Sequence, residues 1–80
     1  MKLRSKMYGD CNIIGKRTEE LRKKKRIKQK DFIAMLQSSG LDINPTSYSK
    51  LEGQIRIATD KEVYTISQCL SVDINELFPQ

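Results

Sequence analysis

The sequence predicts an all-α fold, a compact bundle of five short helices. Three observations carry this expectation. No stretch sustains a period-2 alternation and no Asn-Gly or Asp-Gly pair occurs, so strands and hairpins lack their signals. Apolar residues recur instead at helical spacing in successive short segments. Helix-start chemistry recurs in step with them, at Asn44-Pro45, at Thr59-Asp60-Lys61-Glu62 and at Asp73-Ile74-Asn75-Glu76.

Residues 1–11 read as a basic tail, in which Lys2, Arg4 and Lys6 alternate with Leu3, Ser5 and Met7. Residues 12–80 read as one domain, which is as much as 80 residues allow. Asn12 is an N-cap for a first helix over 13–25, with Ile14, Thr18, Leu21 and the stem of Lys25 inward and Ile27 just past the end. A second helix covers 29–38. Phe32, Ile33 and Leu36 form its inward stripe, and Gly40 tolerates the left-handed turn that ends it. Leu41 and Ile43 pin the connector to the core. The third helix has the clearest start, with Asn44 as cap and Pro45 at the first helical position, where its missing N–H costs nothing. It runs over 45–52 with Tyr48 and Leu51 inward and stops at Gly53. A fourth helix opens on the Thr59–Glu62 capping box and continues through Val63, Ile66 and Leu70. The fifth opens on the Asp73–Glu76 box, carries Leu77 and Phe78, and ends at Pro79.

Net charge is +5, unevenly placed. Residues 1–30 hold 12 of the 15 Lys and Arg against Asp10, Glu19 and Glu20, a balance of +9, whereas residues 31–80 balance at −4. A basic half is expected where a polyanion is approached, because cations on phosphates release counterions. The plainer reading of Lys23-Lys24-Lys25-Arg26 is a solvated helix end, where cations also suit the dipole.

Other classes find little support. The chain has no histidine, the commonest general base, and its two cysteines, Cys11 and Cys69, make neither a usual zinc site nor a disulfide framework. The Gly9–Arg17 segment only partly matches a phosphate loop: it has one residue too many, and Arg17 in place of Ser or Thr. No enzyme activity and no cofactor are expected. The longest apolar run, Phe32-Ile33-Ala34-Met35-Leu36, falls far short of the ~20 residues that span a bilayer, and a cytoplasmic location without membrane contact is expected.

The third helix carries the most specific chemistry. Its non-core face presents Thr46, Ser47, Ser49 and Lys50, compact hydroxyls and one long cation, which suit base edges in a duplex groove. Local capping is the plain alternative for Thr46 and Ser47.

At these residues a family resemblance emerges. Ile14-x-x-Arg17-x-x-x-Leu21-Arg22, Gln29-x-x-Phe32, Tyr48-Ser49-Lys50-Leu51-Glu52, Arg56-x-x-Thr59-Asp60-x-Glu62 and Leu70-x-Val72-x-Ile74-x-Glu76-Leu77-Phe78 follow one another over residues 12–78. Together they resemble the lambda-repressor-like helix-turn-helix domains of the Cro/repressor or XRE type. The resemblance implies a five-helix bundle with the helix-turn-helix at about 29–53. It implies a regulator, a repressor above all, that binds double-stranded operator DNA as a homodimer. It further implies that Asn44, Pro45, Thr46, Ser47 and Lys50 face bases in the major groove. Gln29, Gly53, Gln54 and Arg56 would meet phosphate, and Arg22 and Glu52 would pair to bridge the first and third helices. The chain departs from the pattern in a connector about five residues longer, in Lys28 at a cap position, in Ile33 where a small residue is usual, and in a glycine one position early at Gly53.

Two rivals remain at this level. One is an antitoxin-like or regulatory module whose main partner is a protein, with Leu77 and Phe78 as candidate contact surface. The other is a non-specific nucleic-acid binder that uses the basic half.

Overall fold

Asn12 sets the start of the first helix, but not as a simple cap. Its side-chain oxygen accepts from the N–H groups of Ile14 and Gly15, at 3.1 and 2.8 Å, while its amide donates to the carbonyls of Leu51 and Arg56, at 3.0 and 2.9 Å. The computed structural model describes residues 11–79, so the basic tail expected over 1–11, Cys11 apart, lies outside the described residues. Four α-helices follow: α1 Gly15–Lys24, α2 Gln29–Ser38, α3 Pro45–Glu52 and α4 Asp60–Leu70. The fifth element is a 3-10 helix, Ile74–Leu77. The expected fifth helix is corrected accordingly. Its capping box forms, but only four residues separate Asp73 from Phe78, too few for a regular α-helix to establish itself. No strand occurs among the described residues.

The expected start chemistry is in place at three elements. The Asn44 side chain accepts from the Ser47 N–H at 2.8 Å. Thr59 and Glu62 complete a capping box at the start of α4, and Asp73 and Glu76 do the same for the 3-10 helix. The helix ends are less legible. Each α-helix closes with paired back-bonds around a left-handed residue: Arg26 at φ 62°, Gly40 at φ 97°, Gln54 at φ 62° and Ser71 at φ 56°. Three of these four residues are not glycine. Gly53 has φ −76°, and the left-handed position falls on Gln54 instead. Arg26 is exposed, so Arg26→Gly relieves the left-handed cost without losing a buried contact. The net gain expected is about 0.5–1 kcal/mol in chemical denaturation. An unchanged or lowered midpoint would contradict it.

The core is one cluster to which every element contributes. Ile14 and Leu21 enter from α1 and its lead-in, and Phe32, Ile33 and Leu36 from α2. Ile43 comes from the connector, Tyr48 and Leu51 from α3, Ile66 and Leu70 from α4, and Leu77 from the 3-10 helix. The Phe32 and Tyr48 rings meet edge-to-face with centroids 5.8 Å apart. Two expectations are corrected. Lys25 is exposed rather than inward, because α1 ends one residue before it. Leu77 is fully buried and Phe78 packs partly against the core, so they are not a free contact surface. The exposed large apolar side chains include Ile55, Ile57, Tyr64 and Ile74. A radius of gyration of 12.1 Å describes a compact molecule of this length. No helix among the described residues is long and apolar enough to cross a membrane.

Candidate nucleic-acid interface

Helix α3 is short, and its outer face is open. Asn44, Pro45, Thr46, Ser49 and Lys50 are exposed and Ser47 is half-buried, while Tyr48, Leu51 and Glu52 face inward. Eight residues cannot hold a helix by propensity alone, so neighbours must fix it. Two contacts do most of this. At Gly15, the first residue of α1, an added Cβ would lie 2.3 Å from the Leu51 carbonyl oxygen and 2.8 Å from that of Glu52. The C-terminal end of α3 therefore rests directly on the α1 backbone. Beside it lies a buried polar network. Arg22 donates from Nε to Glu52 Oε2 at 2.7 Å, from Nη2 to Oε1 at 3.2 Å, and from Nη1 to the Ile27 carbonyl at 2.8 Å. Tyr48 donates its hydroxyl to the same carboxylate, and the Gln29 amide does so at 3.2 Å. The expected Arg22–Glu52 bridge is present and buried, with both side chains under a tenth exposed. Arg22, buried and turned toward Glu52 and the Ile27 carbonyl, is not presented to a phosphate at the surface.

The electrostatics of this network follow from its geometry. The hydrogen bond to Glu52 outweighs burial and raises the Arg22 guanidinium above its ordinary value, so it stays charged. Burial, reinforced by the bond to Glu52, pushes the Tyr48 phenol far above the usual tyrosine range. The folded chain therefore keeps a proton that the unfolded chain releases at about pH 10. Stability is intact below that pH and falls by about 1.4 kcal/mol for each further unit. Urea midpoints taken from pH 9 to 11 read this slope, and Tyr48→Phe should lack it. A wild-type slope equal to that of Tyr48→Phe would refute the assignment.

The residues expected to meet phosphate are placed differently from one another. Gln29 sits at the start of α2, where its amide donates to Glu52 and its carbonyl accepts from the Ser49 hydroxyl at 3.3 Å. This brings the first turn of α2 to the flank of α3 and carries the exposed Lys28 and Lys30 with it. Gly53 and Gln54 close the end of α3 with their N–H groups, bonded to the carbonyls of Ser49 and Leu51 at 2.9 and 3.0 Å. The Gln54 amide also donates to the Asn12 carbonyl at 3.0 Å. Their work is to hold the helix end, and their backbone donors are not offered outward. Arg56 forks onto Glu62 at 2.8 and 2.9 Å, and it too is committed within the molecule. Burial alone would raise the Glu62 carboxyl. Hydrogen bonds from Arg56 and from the Thr59 N–H overcome this and hold it below the usual carboxylate range.

The sequence reading did not single out Asn12 beyond its capping role, Gly15, or the Arg56–Glu62 pair. The Asn12 bonds to the Leu51 and Arg56 carbonyls span 39 and 44 residues, and the close approach at Gly15 joins α1 to the distant end of α3, so local spacing carries no mark of either. The Arg-to-Glu spacing of six around a capping box was the one available clue to the third. No protein-family model, curated protein or solved structure matches the chain, so what the site does is argued from these residues.

Proposed function

We propose that the chain is a sequence-specific regulator that binds double-stranded DNA, acting as a repressor by occupying its site. It would present α3 to the major groove as part of a five-helix, lambda-repressor-like helix-turn-helix fold in which the 3-10 helix takes the fifth place. The observation that carries this reading is the outer face of α3. A capped helix start exposes Thr46, Ser49 and Lys50 together, with Ser47 half-exposed, on a helix held from behind by a buried ion pair. Hydroxyls reach several base edges and a lysine favours guanine, while Asn44 and Pro45 lead the helix into the groove. Gln29, with the exposed Lys28 and Lys30 beside it, would meet the adjacent phosphates. The exposed Lys24, Lys25 and Arg26 add sequence-independent attraction. A homodimer on a two-fold symmetric site completes the proposal, and the exposed Ile57, Tyr64 and Ile74 supply apolar surface for a second copy.

Selection of bound sites from random duplex tests the reading. A palindromic consensus is expected, with half-sites about one helical turn apart. Lys50→Ala should then cost about 1–3 kcal/mol on the selected duplex and relax the preference at one base position. Equal loss on all duplexes would remove Lys50 from base reading. Enrichment of no sequence, with steep salt dependence throughout, would replace the proposal by non-specific binding through the basic half. The protein-partner alternative draws on the same exposed apolar residues. It would be favoured by a monomer that binds no duplex.

A further inference from the structure

Arg56 has the address of a phosphate contact but the surroundings of a strut. Its Nε donates to the Ser47 carbonyl at 2.9 Å, Nη1 to the Ile57 carbonyl at 2.8 Å and to Glu62 Oε1 at 2.9 Å, and Nη2 to Glu62 Oε2 at 2.8 Å. These four bonds use four of the five N–H groups a guanidinium has. The two side chains are 21% and 11% exposed, so the pair is largely turned inward. Glu62 is itself held still. Its carboxylate accepts from the Thr59 N–H at 2.9 Å, and its own N–H donates to the Thr59 hydroxyl at 3.1 Å. The start of α4 therefore fixes a carboxylate, the carboxylate fixes a planar guanidinium, and the opposite edge of that guanidinium grips the first turn of α3.

The architecture gives this grip its importance. Helix α3 packs on α1 and α2 and makes little direct contact with α4 among the described residues. Its C-terminal end is anchored by Gly15 and by the Arg22–Glu52 network. Its N-terminal turn carries the exposed Thr46 and the half-buried Ser47 and is held to α2 by the buried Tyr48 ring against Phe32. The side-chain bridge from α4 adds a hold on the Ser47 carbonyl, on the side facing α4.

We infer that Arg56 and Glu62 form a clamp that sets the angle of the first turn of α3, making Arg56 a positioning residue for base recognition rather than a phosphate ligand. The inference rests on the DNA-reading proposal for its functional consequence, while the clamp itself belongs to the free protein. Arg56 is suited to it because only a planar fork engages a carboxylate bidentately and still offers Nε to a carbonyl. A lysine keeps the charge and loses the fork.

The test uses the full chain with Arg56→Lys, Arg56→Ala and Glu62→Gln. Glutamine retains the capping box while it weakens the fork. Binding is measured on the selected duplex and on an unrelated duplex across a salt series, at temperatures where circular dichroism shows each variant folded. Amide exchange of Ser47 and Tyr48 is measured in the free proteins. A clamp predicts that Arg56→Lys and Glu62→Gln both lower the preference for the selected duplex about tenfold. It also predicts an unchanged salt slope and faster exchange at Ser47 and Tyr48. A phosphate contact predicts the reverse: Glu62→Gln binds as well as the parent or better, Arg56→Lys retains binding, and Arg56→Ala reduces the salt slope by about 0.9. That result overturns the inference. If the parent binds no duplex, the DNA reading falls and exchange alone decides the clamp. Unchanged protection at Ser47 and Tyr48 in Glu62→Gln and Arg56→Lys would then overturn it, and faster exchange in both would sustain it.

Discussion

Glu52→Ala is expected to remove about 3–5 kcal/mol of stability, a large part of what a chain of this size possesses. The reason is what the substitution leaves behind. Glu52 accepts from Arg22 twice, from Tyr48 and from Gln29. Without it the Arg22 guanidinium stays charged in a site where it is 6% exposed, and the Tyr48 hydroxyl has lost its acceptor in the core. Thermal unfolding should drop by about 12–40 °C, since a domain of this length loses roughly 4–8 °C per kcal/mol. Arg22→Ala should cost less, because its partner carboxylate keeps Tyr48 and Gln29 as donors. In a double-mutant cycle the pair should couple by about 2 kcal/mol or more. Additive losses from the two single variants would show that the bridge seen here contributes little and that the cost of each lies elsewhere.

Gly15→Ala is expected to be nearly as damaging, which runs against helix propensity. Within a helix this change ordinarily stabilises by up to about 1 kcal/mol. Here the new methyl would stand 2.3 Å from one backbone oxygen and 2.8 Å from the next, and neither can swing aside as a side chain would. Helix α1 or the end of α3 must shift, at about 1–3 kcal/mol or more. The displaced element includes the helix proposed to read DNA, so sequence preference should fall along with stability. Gly53→Ala is the informative control. Its φ of −76° suits any residue, and the nearest atom to an added Cβ is the Ser49 carbonyl oxygen at 3.3 Å. A Gly15→Ala variant as stable as the parent would mean that the close approach of α1 and α3 is not present in solution.

Much of the fold was legible because its signals are local. The bounds of α2 and α3 follow from inward stripes and caps that lie within a few residues of one another, and the structure reproduces both ranges. The Thr59–Glu62 box likewise marks the start of α4. The outer face of α3 could be named from spacing alone, since whatever is not Tyr48, Leu51 or Glu52 must point away from the core. Helix ends were harder. Glycine is only the least strained occupant of a left-handed position, and Arg26, Gln54 and Ser71 occupy such positions because paired backbone bonds around them offset the strain.

The amino-acid order alone therefore determined the helical class, the bounds of α2 and α3, the start of α4, the core stripes and the residues of the exposed face of α3. All of these depend on backbone chemistry and on the 3.6-residue period of one helix at a time. Tertiary structure decided what each polar side chain does. It put Arg56 on Glu62 instead of outward, made Gly15 a contact point between two helices, and drew Asn12 across to the end of α3. Those outcomes depend on the distance and angle between elements, set when all of them share one core, and no local pattern in the chain encodes a distance between helices.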